Sequence, residues 1–269
     1  MIQIKNVVTG EILNIKPTIF PDGTSQVWKL PMDWFKSNSY YKIIWYFEEE
    51  AELIRVLQLV DLLSTYKLAF SELFIPFLPY GRQDKWINNE STFALHTFKA
   101  ILSEFIQRRA GIRISTLDAH SQFFFGAYNY YASDYIRQAI RDSNAEVIAF
   151  PDKGAALRYE LPFLPYVILD KERDQQTGQI LGMKFCDETI HVEIEGKRIL
   201  IIDDICDGGA TFIGAAKLLH EHEVDKVDLY VTHGIFSKGL KILYNNGINN
   251  IFTTKSLIKN DWGYELKEI

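Results

Sequence analysis

The sequence predicts an α/β protein with two units, each built on a mainly parallel sheet flanked by helices. Short strands rich in Val and Ile alternate with helical or loop segments through most of the chain, a rhythm typical of βαβ units. Strands such as residues 199–202 (ILII) are apolar without interruption, as expected where both faces of a sheet are covered. A length of 269 residues suffices for one large domain or two modest ones.

The first fifty residues are predicted to be rich in strands, because short alternating apolar segments are separated by turn residues. Beyond them, apolar residues recur at three- and four-residue steps, which predicts an amphipathic helix over 49–66. Ser91 or Thr92 is expected to cap a second helix that runs to about Ala110. The predicted strands of this half are 2–8, 11–15, 41–47, 72–78 and 112–118, with a polar loop at 79–90.

The second half of the chain repeats this alternation. Its predicted strands are 146–152, 165–170, 197–204 and 226–233. A polar stretch at 130–144 suggests a boundary between the two halves. The predicted domains are therefore residues 1–134 and 135–269.

Composition and charge exclude several classes of protein. No apolar run approaches the ~20 residues that a membrane-spanning helix needs, and the first residues lack the pattern of a signal peptide. Two cysteines are too few for a disulfide framework or a Cys-rich zinc site. A net charge of −6 and a pI near 5.6 argue against general nucleic-acid binding. We therefore expect a cytoplasmic protein without membrane or nucleic-acid partners.

Residues 199–219 (ILIIDDICDGGATFIGAAKLL) are the strongest candidate for a ligand site. An apolar strand leads into Asp203 and Asp204, then into a glycine-rich turn and an amphipathic helix. The turn thus follows the carboxyl end of a strand, where parallel α/β sheets bind ligands. Gly208 and Gly209 let backbone amides approach an anion, and the helix N-terminus adds N–H groups and a favourable dipole.

The side chains around this turn indicate which groups accompany the anion in the ligand. The two aspartates suit vicinal hydroxyls or a hydrated Mg²⁺, and Thr211 offers a hydroxyl. A phosphate cradle beside a diol and metal site matches a ribose 5-phosphate. The plainer alternative is a strand that ends in an acidic turn without a ligand. The order of apolar strand, paired Asp, third Asp and double Gly favours the binding site.

This segment resembles the phosphoribosyl diphosphate binding motif of type I phosphoribosyltransferases and ribose-phosphate diphosphokinases. The resemblance implies two phosphoribosyltransferase-like α/β domains, with the active site between them and near a subunit interface, and hence a homo-oligomer. The implied ribose-phosphate ligands are Asp203, Asp204, Asp207, Gly208, Gly209, Ala210 and Thr211.

Two further segments resemble loops that bind ATP in the diphosphokinases. Residues 79–86 (PYGRQDKW) are similar to a motif without a counterpart in the transferases, which implies Arg82 and Gln83 as ATP ligands. Arginine suits this role because its planar fork meets phosphate oxygens in pairs. Residues 20–24 (FPDGT) resemble the loop that receives adenine, often on a neighbouring subunit, which adds Phe20 and Asp22.

The same resemblance implies metal ligands. Residues 117–126 (LDAHSQFFFG) match a segment that makes His120 a metal or ATP ligand, with Asp118 orienting it. Residues 150–155 (FPDKGA) match a turn that supplies a second carboxylate to the metal site. The implied ligands of Mg²⁺ are His120, Asp152, Asp203 and Asp204.

The implied catalytic residues are two cations and one carboxylate. Residues 168–174 (ILDKERD) resemble the start of a mobile catalytic loop, whose cations here are Lys171 and Arg173. These cations would close over the diphosphoryl group that moves from ATP to the acceptor, and Asp207 would lie near the anomeric hydroxyl. Catalysis would then depend on positioning, Mg²⁺ and cations rather than on a covalent intermediate.

The glycine turn departs from the family pattern. Diphosphokinases usually have Asp-Thr-Gly-Gly-Thr where this chain has Asp207-Gly208-Gly209-Ala210-Thr211. One hydroxyl beside the 5-phosphate is therefore missing, and we expect a roomier pocket. In the adenine loop, Thr24 stands where relatives usually have Glu. The chain is also shorter than ordinary members, so a final helix is expected to be missing.

The resemblance implies transfer of the β,γ-diphosphoryl group of ATP to the anomeric hydroxyl of ribose 5-phosphate, with release of AMP. Three alternatives remain open. The acceptor is a larger 5-phosphoribosyl compound such as ADP-ribose, the protein is a phosphoribosyltransferase, or it is a catalytically silent regulatory subunit. Residues 79–86 argue against a transferase, and retention of His120, Lys171 and Arg173 argues against a silent subunit.

Overall fold

The structure, a computed structural model, describes residues 1–87, 90–121, 127–159, 164–173, 180–189 and 192–266. Contacts between residues divide the chain into two units, Met1–Tyr131 and Ala132–Ile269. Each unit contains a mainly parallel six-stranded sheet with helices, which confirms the predicted α/β class. Among the described helices, none combines the length and the apolar character needed to cross a membrane.

The first unit is built on β1 (Ile2–Asn6), β2 (Ile12–Ile15), β5 (Tyr41–Trp45), β6 (Phe70–Ile75), β7 (Arg113–Leu117) and β8 (Tyr128–Tyr130), and a separate hairpin joins β3 (Thr18–Ile19) to β4 (Ser25–Gln26). The order across the sheet is β2-β1-β5-β6-β7-β8. Strands β5 to β8 are parallel, whereas β1 runs antiparallel to both of its neighbours. The prediction of a strand-rich start followed by parallel strands is confirmed.

Two helices flank this sheet, α1 (Ala51–Thr65) and α2 (Ala94–Leu102), and a π-helical stretch (Ser103–Arg109) continues α2. Leu59 and Leu63 of α1 and Phe98 of α2 pack into one cluster with buried strand residues. All three lie on the apolar face that the helical spacing of the sequence predicts.

The predicted helix from Ser91 or Thr92 to Ala110 is wrong in two respects. The helix begins at Ala94, and no side chain caps it. The hydroxyl of Ser91 instead accepts a hydrogen bond from the N–H of Ile87 at 2.9 Å, so this residue closes the preceding loop. The backbone then becomes π-helical at Ser103. Hydrophobic spacing does not reveal this change, because buried residues continue at a four-residue step from Leu102 to Ile106.

The strands of the second unit are β9 (Val147–Phe150), β10 (Tyr166–Arg173), β11 (Ile180–Phe185), β12 (Arg198–Cys206), β13 (Lys226–Gly234) and β14 (Ile251–Thr253). Their order is β11-β10-β9-β12-β13-β14, and every pairing is parallel except that of β10 with β11. The four strands predicted for this half of the chain are confirmed.

The helices of the second unit are α3 (Ser133–Ser143), α4 (Lys153–Tyr159), α5 (Ala210–Glu221) and α6 (Lys241–Tyr244). One face of the sheet packs on α5, where Ile199 and Ile201 join the same apolar cluster as Leu219. Leu200 and Ile202 point to the opposite face and are also fully buried, and α3 lies against β12 and β13. The uninterrupted apolar run in β12 thus reflects a strand buried on both sides.

The strand order of the second unit reverses between β9 and β12. From β9 the chain crosses through α4 to β10 on one side, whereas β12 lies on the other side of β9 and leads through α5 to β13. Such a reversal opens a crevice at the carboxyl ends of the two strands, where α/β sheets bind ligands. The glycine-rich turn of residues 199–219, the candidate ligand segment, therefore lies at the carboxyl end of β12 beside this reversal, as expected.

The segment predicted to begin a loop, residues 168–174, is a strand as far as Arg173. In the antiparallel ladder of β10 and β11, Lys171 pairs with Met183 and Arg173 pairs with Ile180. The four consecutive charged residues DKER give no alternating pattern, so only pairing with β11 reveals the strand. Both predicted catalytic cations therefore belong to one arm of a hairpin, and residues 174–179 lie outside the described part.

The packing of α1 predicts unequal effects of two truncations on stability. Leu59 is fully buried, whereas Ile54 on the same helix is 54% exposed. Leu59→Ala is expected to lower the free energy of unfolding by about 2–5 kcal/mol, because it leaves a cavity. Ile54→Ala is expected to change it by less than about 0.5 kcal/mol. Urea unfolding of the full chain measures both values, and equal losses would contradict the buried face of α1.

Candidate functional site

The glycine turn lies between the end of β12 and the start of α5. Gly209 has a φ of 80°, in the left-handed region, and a Cβ placed there would lie 2.7 Å from Cδ2 of Leu243. Both the backbone conformation and the close approach of Leu243 therefore require glycine. Gly209 is also the N-cap of α5 and has no side chain to occupy the N–H groups of the first turn. This arrangement suits an anion.

The loop after β13 is hydrogen-bonded to this turn. The N–H groups of residues 235 and 236 both donate to the carbonyl oxygen of Cys206, at 2.8 and 3.0 Å. The N–H of Ser237 donates to the carbonyl oxygen of Asp207 at 3.2 Å. Three backbone hydrogen bonds thus hold the two loops side by side.

This pairing of loops brings Lys238 over the glycine turn. A Cβ placed on Gly208 would lie 3.5 Å from Cε and 3.9 Å from Nζ of Lys238. Gly208 therefore faces the exposed side chain of Lys238 at ordinary van der Waals distance. A side chain at position 208 would contact Lys238, which ends in a positive charge.

Residues 259–262 also contact the loop after β13. Asn260 is buried, and its Nδ2 donates to the carbonyl oxygen of Gly234 at 2.8 Å. The side chain of Lys259 donates to the carbonyl oxygen of Ile235, and the rings of Phe236 and Trp262 stack with centroids 6.2 Å apart. These contacts keep residues 234–238 against the turn.

The paired aspartates of β12 have different surroundings, as expected for consecutive residues of a strand. Asp204 is buried and forms an ion pair with Arg158 of α4, with Nη1 3.0 Å from Oδ2. Asp203 is partly buried, and its Oδ1 accepts a hydrogen bond from the N–H of Asp204 at 2.9 Å. The sequence suggested one shared role for the pair, and the structure gives Asp204 a cationic partner.

Asp203 lies near the end of β12, and Asp152 follows the neighbouring strand β9 at the strand-order reversal. Burial raises the pKa of Asp203 well above its ordinary range, and the neighbouring carboxylates of Asp204 and Asp152 raise it further. Asp152 follows β9, and its Oδ1 accepts a hydrogen bond from the N–H of Ala155 at 2.9 Å. Two carboxylates that repel each other favour a cation between them.

These two carboxylates fit a hydrated Mg²⁺ better than a metal enclosed by protein ligands. Among the described residues there is no group of three or more His, Cys, Asp or Glu side chains that suits a metal ion. Mg²⁺ usually keeps several waters and binds through one or two carboxylates together with substrate phosphates. Asp152 and Asp203 supply such a pair, whereas Asp204 is already paired with Arg158.

Burial disfavours the thiolate form of both cysteines in the second unit. Burial raises the pKa of Cys206 to about 12, and the nearby Asp203 and Asp207 add to this effect. Burial also raises the pKa of Cys186. Both thiols therefore stay protonated near neutral pH, and the polar chemistry of the site rests on carboxylates, amides and cations.

In the first unit, the structure brings together two segments predicted to bind ATP. Residues 79–86 follow β6, and His120 follows the neighbouring parallel strand β7. A Cβ placed on Gly81 would lie 3.7 Å from Cβ of His120, so the two loops are in contact. The side chains of Arg82, Gln83 and His120 are exposed, as expected for side chains that bind a ligand.

Tyr80 anchors the first of these loops. Its hydroxyl donates to Glu50 Oε1 at 2.7 Å, and its ring packs near Phe47 and Phe98. Burial, together with the hydrogen bond to Glu50, raises the pKa of Tyr80 to about 12. The N–H of Leu95 donates to the carbonyl oxygen of Gln83 at 3.2 Å, which ties the loop to α2.

The predicted adenine loop is the tip of the β3–β4 hairpin. Phe20 is 38% exposed, and Asp22 lies beside it. Oδ1 of Asp22 accepts hydrogen bonds from the hydroxyl of Thr24 at 2.7 Å and from its N–H at 2.9 Å. These bonds hold the pKa of Asp22 below its ordinary value. Thr24, one of the departures from the family pattern, therefore has a structural role in this tip.

Comparison with known proteins agrees with the geometry. A family model described as the phosphoribosyl transferase domain matches residues 131–268. The chain belongs to this family. The ribose-phosphate pyrophosphokinase of Pyrococcus abyssi is 28% identical over 253 residues, which covers 92% of this chain and 86% of the relative. The enzyme of the same name from Sulfurisphaera tokodaii is 24% identical over 266 residues, covering 95% of this chain and 88% of the relative.

A solved phosphoribosylpyrophosphate synthetase from Mycobacterium smegmatis is similar in structure. It superposes with a TM-score of 0.72 over 94% of this chain and 85% of its own, at 21% identity. Both α/β units of the chain therefore have the predicted phosphoribosyltransferase-like fold. The resemblance to ribose-phosphate diphosphokinases, drawn from short motifs, is confirmed.

Sequence reasoning missed two charged residues of the second unit. Arg158 belongs to no recognised motif, although its ion pair with Asp204 changes the role of that carboxylate. Lys238 belongs to none either. The pairing of β12 with β13 could have indicated the position of Lys238, because loops that follow neighbouring parallel strands emerge at the same edge of the sheet. The side chain of Arg173 lies outside the described part, and that of Lys171 is partly exposed.

The two glycines of the turn are expected to tolerate alanine differently. Gly209→Ala combines a left-handed backbone with a close approach to Leu243, and we expect a loss of about 1–3 kcal/mol in unfolding free energy. Gly208→Ala would make only ordinary contact with Lys238, so a change within about 0.5 kcal/mol is expected. Urea unfolding compares the two variants. A loss at Gly208 as large as that at Gly209 would contradict the geometry of the turn.

Proposed function

We propose that this chain is a ribose-phosphate diphosphokinase, which transfers the β,γ-diphosphoryl group of ATP to ribose 5-phosphate. One observation carries the proposal. The glycine turn at the N-terminus of α5 and the carboxylates of Asp203 and Asp152 lie together at the strand-order reversal of the second unit. A phosphate cradle beside acidic groups for hydroxyls and a metal is the arrangement that ribose 5-phosphate requires.

The second unit is assigned to the ribose phosphate. The N–H groups of the turn and of the first turn of α5, with the hydroxyl of Thr211, receive the 5-phosphate. Asp203 accepts hydrogen bonds from the ribose hydroxyls, and exposed Asp207 lies nearest the anomeric hydroxyl. Asp204 holds Arg158, so we assign it to positioning the end of β12 rather than to direct contact.

The first unit is assigned to ATP. Arg82 and Gln83 lie on an anchored loop with exposed side chains, beside exposed His120. An arginine fork and a neutral amide suit the polyphosphate, and the imidazole suits a phosphate oxygen or a metal. The tip of the β3–β4 hairpin offers the partly exposed ring of Phe20 to adenine.

In the proposed reaction the anomeric oxygen bonds to the β-phosphorus of ATP. The bond from that phosphorus to the bridging oxygen breaks, AMP leaves with the oxygen, and the hydroxyl releases its proton. Asp152 and Asp203 would hold Mg²⁺, which supplies neutralisation of charge on the diphosphoryl group. Lys171 and Arg173 are assigned to the negative charge that develops on the same group.

The alternatives have weaker support. The Pyrococcus and Sulfurisphaera relatives are both named for ribose phosphate, and neither name supports ADP-ribose as the acceptor. Both relatives match over 92% or more of this chain, so the similarity extends into the first unit. A transferase has no counterpart of the loop at 79–86. A catalytically silent subunit has no need of exposed Arg82, Gln83 and His120 side chains.

The proposed activity predicts metal-dependent release of AMP. The purified chain with ATP, Mg²⁺ and ribose 5-phosphate is expected to yield AMP and phosphoribosyl diphosphate, detected by chromatography and mass spectrometry. EDTA should abolish the reaction and excess Mg²⁺ should restore it. Parallel reactions with ADP-ribose, and with adenine plus phosphoribosyl diphosphate, test the alternatives. Product from either of these, without product from ribose 5-phosphate, would refute the proposal.

Lys171 has a matched control on the same hairpin. Lys171 pairs with Met183, and Lys184 pairs with Asp170 on the opposite face. Lys171→Ala is expected to lower kcat by about 10²-fold, because it removes a charge that stabilises the transition state. Lys184→Ala removes the same charge and is expected to leave kcat within about twofold. Similar losses in both variants would indicate an effect of net charge and would refute the assignment.

A further inference from the structure

Lys238 lies beside the glycine turn, and no motif assigns it a role. Its Cε and Nζ lie 3.5 and 3.9 Å from the position of a Cβ on Gly208. The side chain is exposed. Among the described residues no carboxylate forms an ion pair with it. The turn therefore has a cation at its side that is available to a ligand.

We propose that Lys238 binds the 5-phosphate of the acceptor and selects a phosphomonoester over a phosphodiester. The inference rests on the proposed function, since it assigns a further residue to the same phosphate site. A monoester carries nearly two negative charges at pH 7, because its second pKa is about 6. A diester carries one, so an ammonium group beside the turn stabilises the monoester more.

Carboxylates near the turn make a positive charge beside it favourable for binding a phosphate. Asp203, Asp204 and Asp207 place three carboxylates within the five residues that precede Gly208. Arg158 pairs with Asp204, and negative charge this close to the turn repels an incoming phosphate. Amide groups and a helix dipole supply only partial charges. The full positive charge of Lys238 beside Gly208 offsets that repulsion.

The position of Lys238 is set by the backbone before any ligand arrives. Residues 235–237 are hydrogen-bonded to the carbonyl oxygens of Cys206 and Asp207. Asn260 and Trp262 also contact the same loop. A side chain whose backbone is already positioned loses less conformational freedom when it binds. The ammonium group, with three donors, then needs only rotation of its own chain to meet a phosphate oxygen.

The experiment measures binding and turnover of the full chain with ribose 5-phosphate and with ADP-ribose. Lys238→Gln is expected to weaken ribose 5-phosphate binding about 10- to 100-fold by calorimetry, as for loss of one charge-assisted hydrogen bond. The defect should appear mainly in KM. Binding of ADP-ribose should fall less, so the preference for the monoester shrinks. Lys238→Arg, which keeps the charge, should recover most of the affinity.

Lys226 provides the matched control. It is exposed and begins β13, at the opposite end of that strand from Lys238. Lys226→Gln removes the same charge and should leave both affinities unchanged. Equal binding of ribose 5-phosphate by the wild type and Lys238→Gln, or equal weakening for both ligands, would overturn the role of Lys238 alone. A wild-type chain that binds no ribose 5-phosphate would overturn the proposed function as well.

Discussion

Parallel pairing of β9, β12 and β13 is the constraint on which the candidate site depends. β12 is hydrogen-bonded in parallel to β9 on one side and to β13 on the other. Parallel strands end at the same edge of a sheet, so Asp152, the glycine turn and the loop carrying Lys238 all emerge there. A shift in register by one residue would turn Asp203 to the face that Asp204 occupies. The buried apolar side chains of β12 therefore determine on which face of the sheet each carboxylate lies.

This geometry also creates an electrostatic problem. A phosphate site at the end of an acidic strand brings an anion toward several carboxylates, and burial makes their mutual repulsion stronger. The negative charge of each carboxylate is compensated in a different way. Arg158 pairs with Asp204, the carboxylates of Asp203 and Asp152 suit a divalent cation, and Lys238 lies beside Gly208 of the turn. The carboxylates that repel a phosphate therefore also attract cations. Cations of this kind would neutralise charge in a diphosphoryl transfer.

Much of the fold and half of the site follow from the sequence. Apolar runs predict β9, β10, β12 and β13, and the order of Asp, Gly and helix predicts the anion turn. Three features do not follow, because each depends on partners distant in sequence. Pairing with β11 makes a strand of a charged segment, the ion pair with Arg158 separates the roles of Asp203 and Asp204, and the loop after β13 brings Lys238 to Gly208. Local patterns predict elements, whereas these features arise from packing between elements.

Gly208, where relatives usually have threonine, lies in contact distance of Lys238, so the two positions are considered together. Replacing a threonine by Gly208 removes one hydroxyl donor, and the Lys238 chain lies beside this position. A side chain at position 208 contacts that lysine directly, so the two positions are not independent. In the proposed role of Lys238, a hydroxyl donor is exchanged for a positively charged donor, which interacts more strongly with a dianionic ligand. With the role proposed for Lys238, the turn binds a 5-phosphate through a cation contributed by the loop after β13.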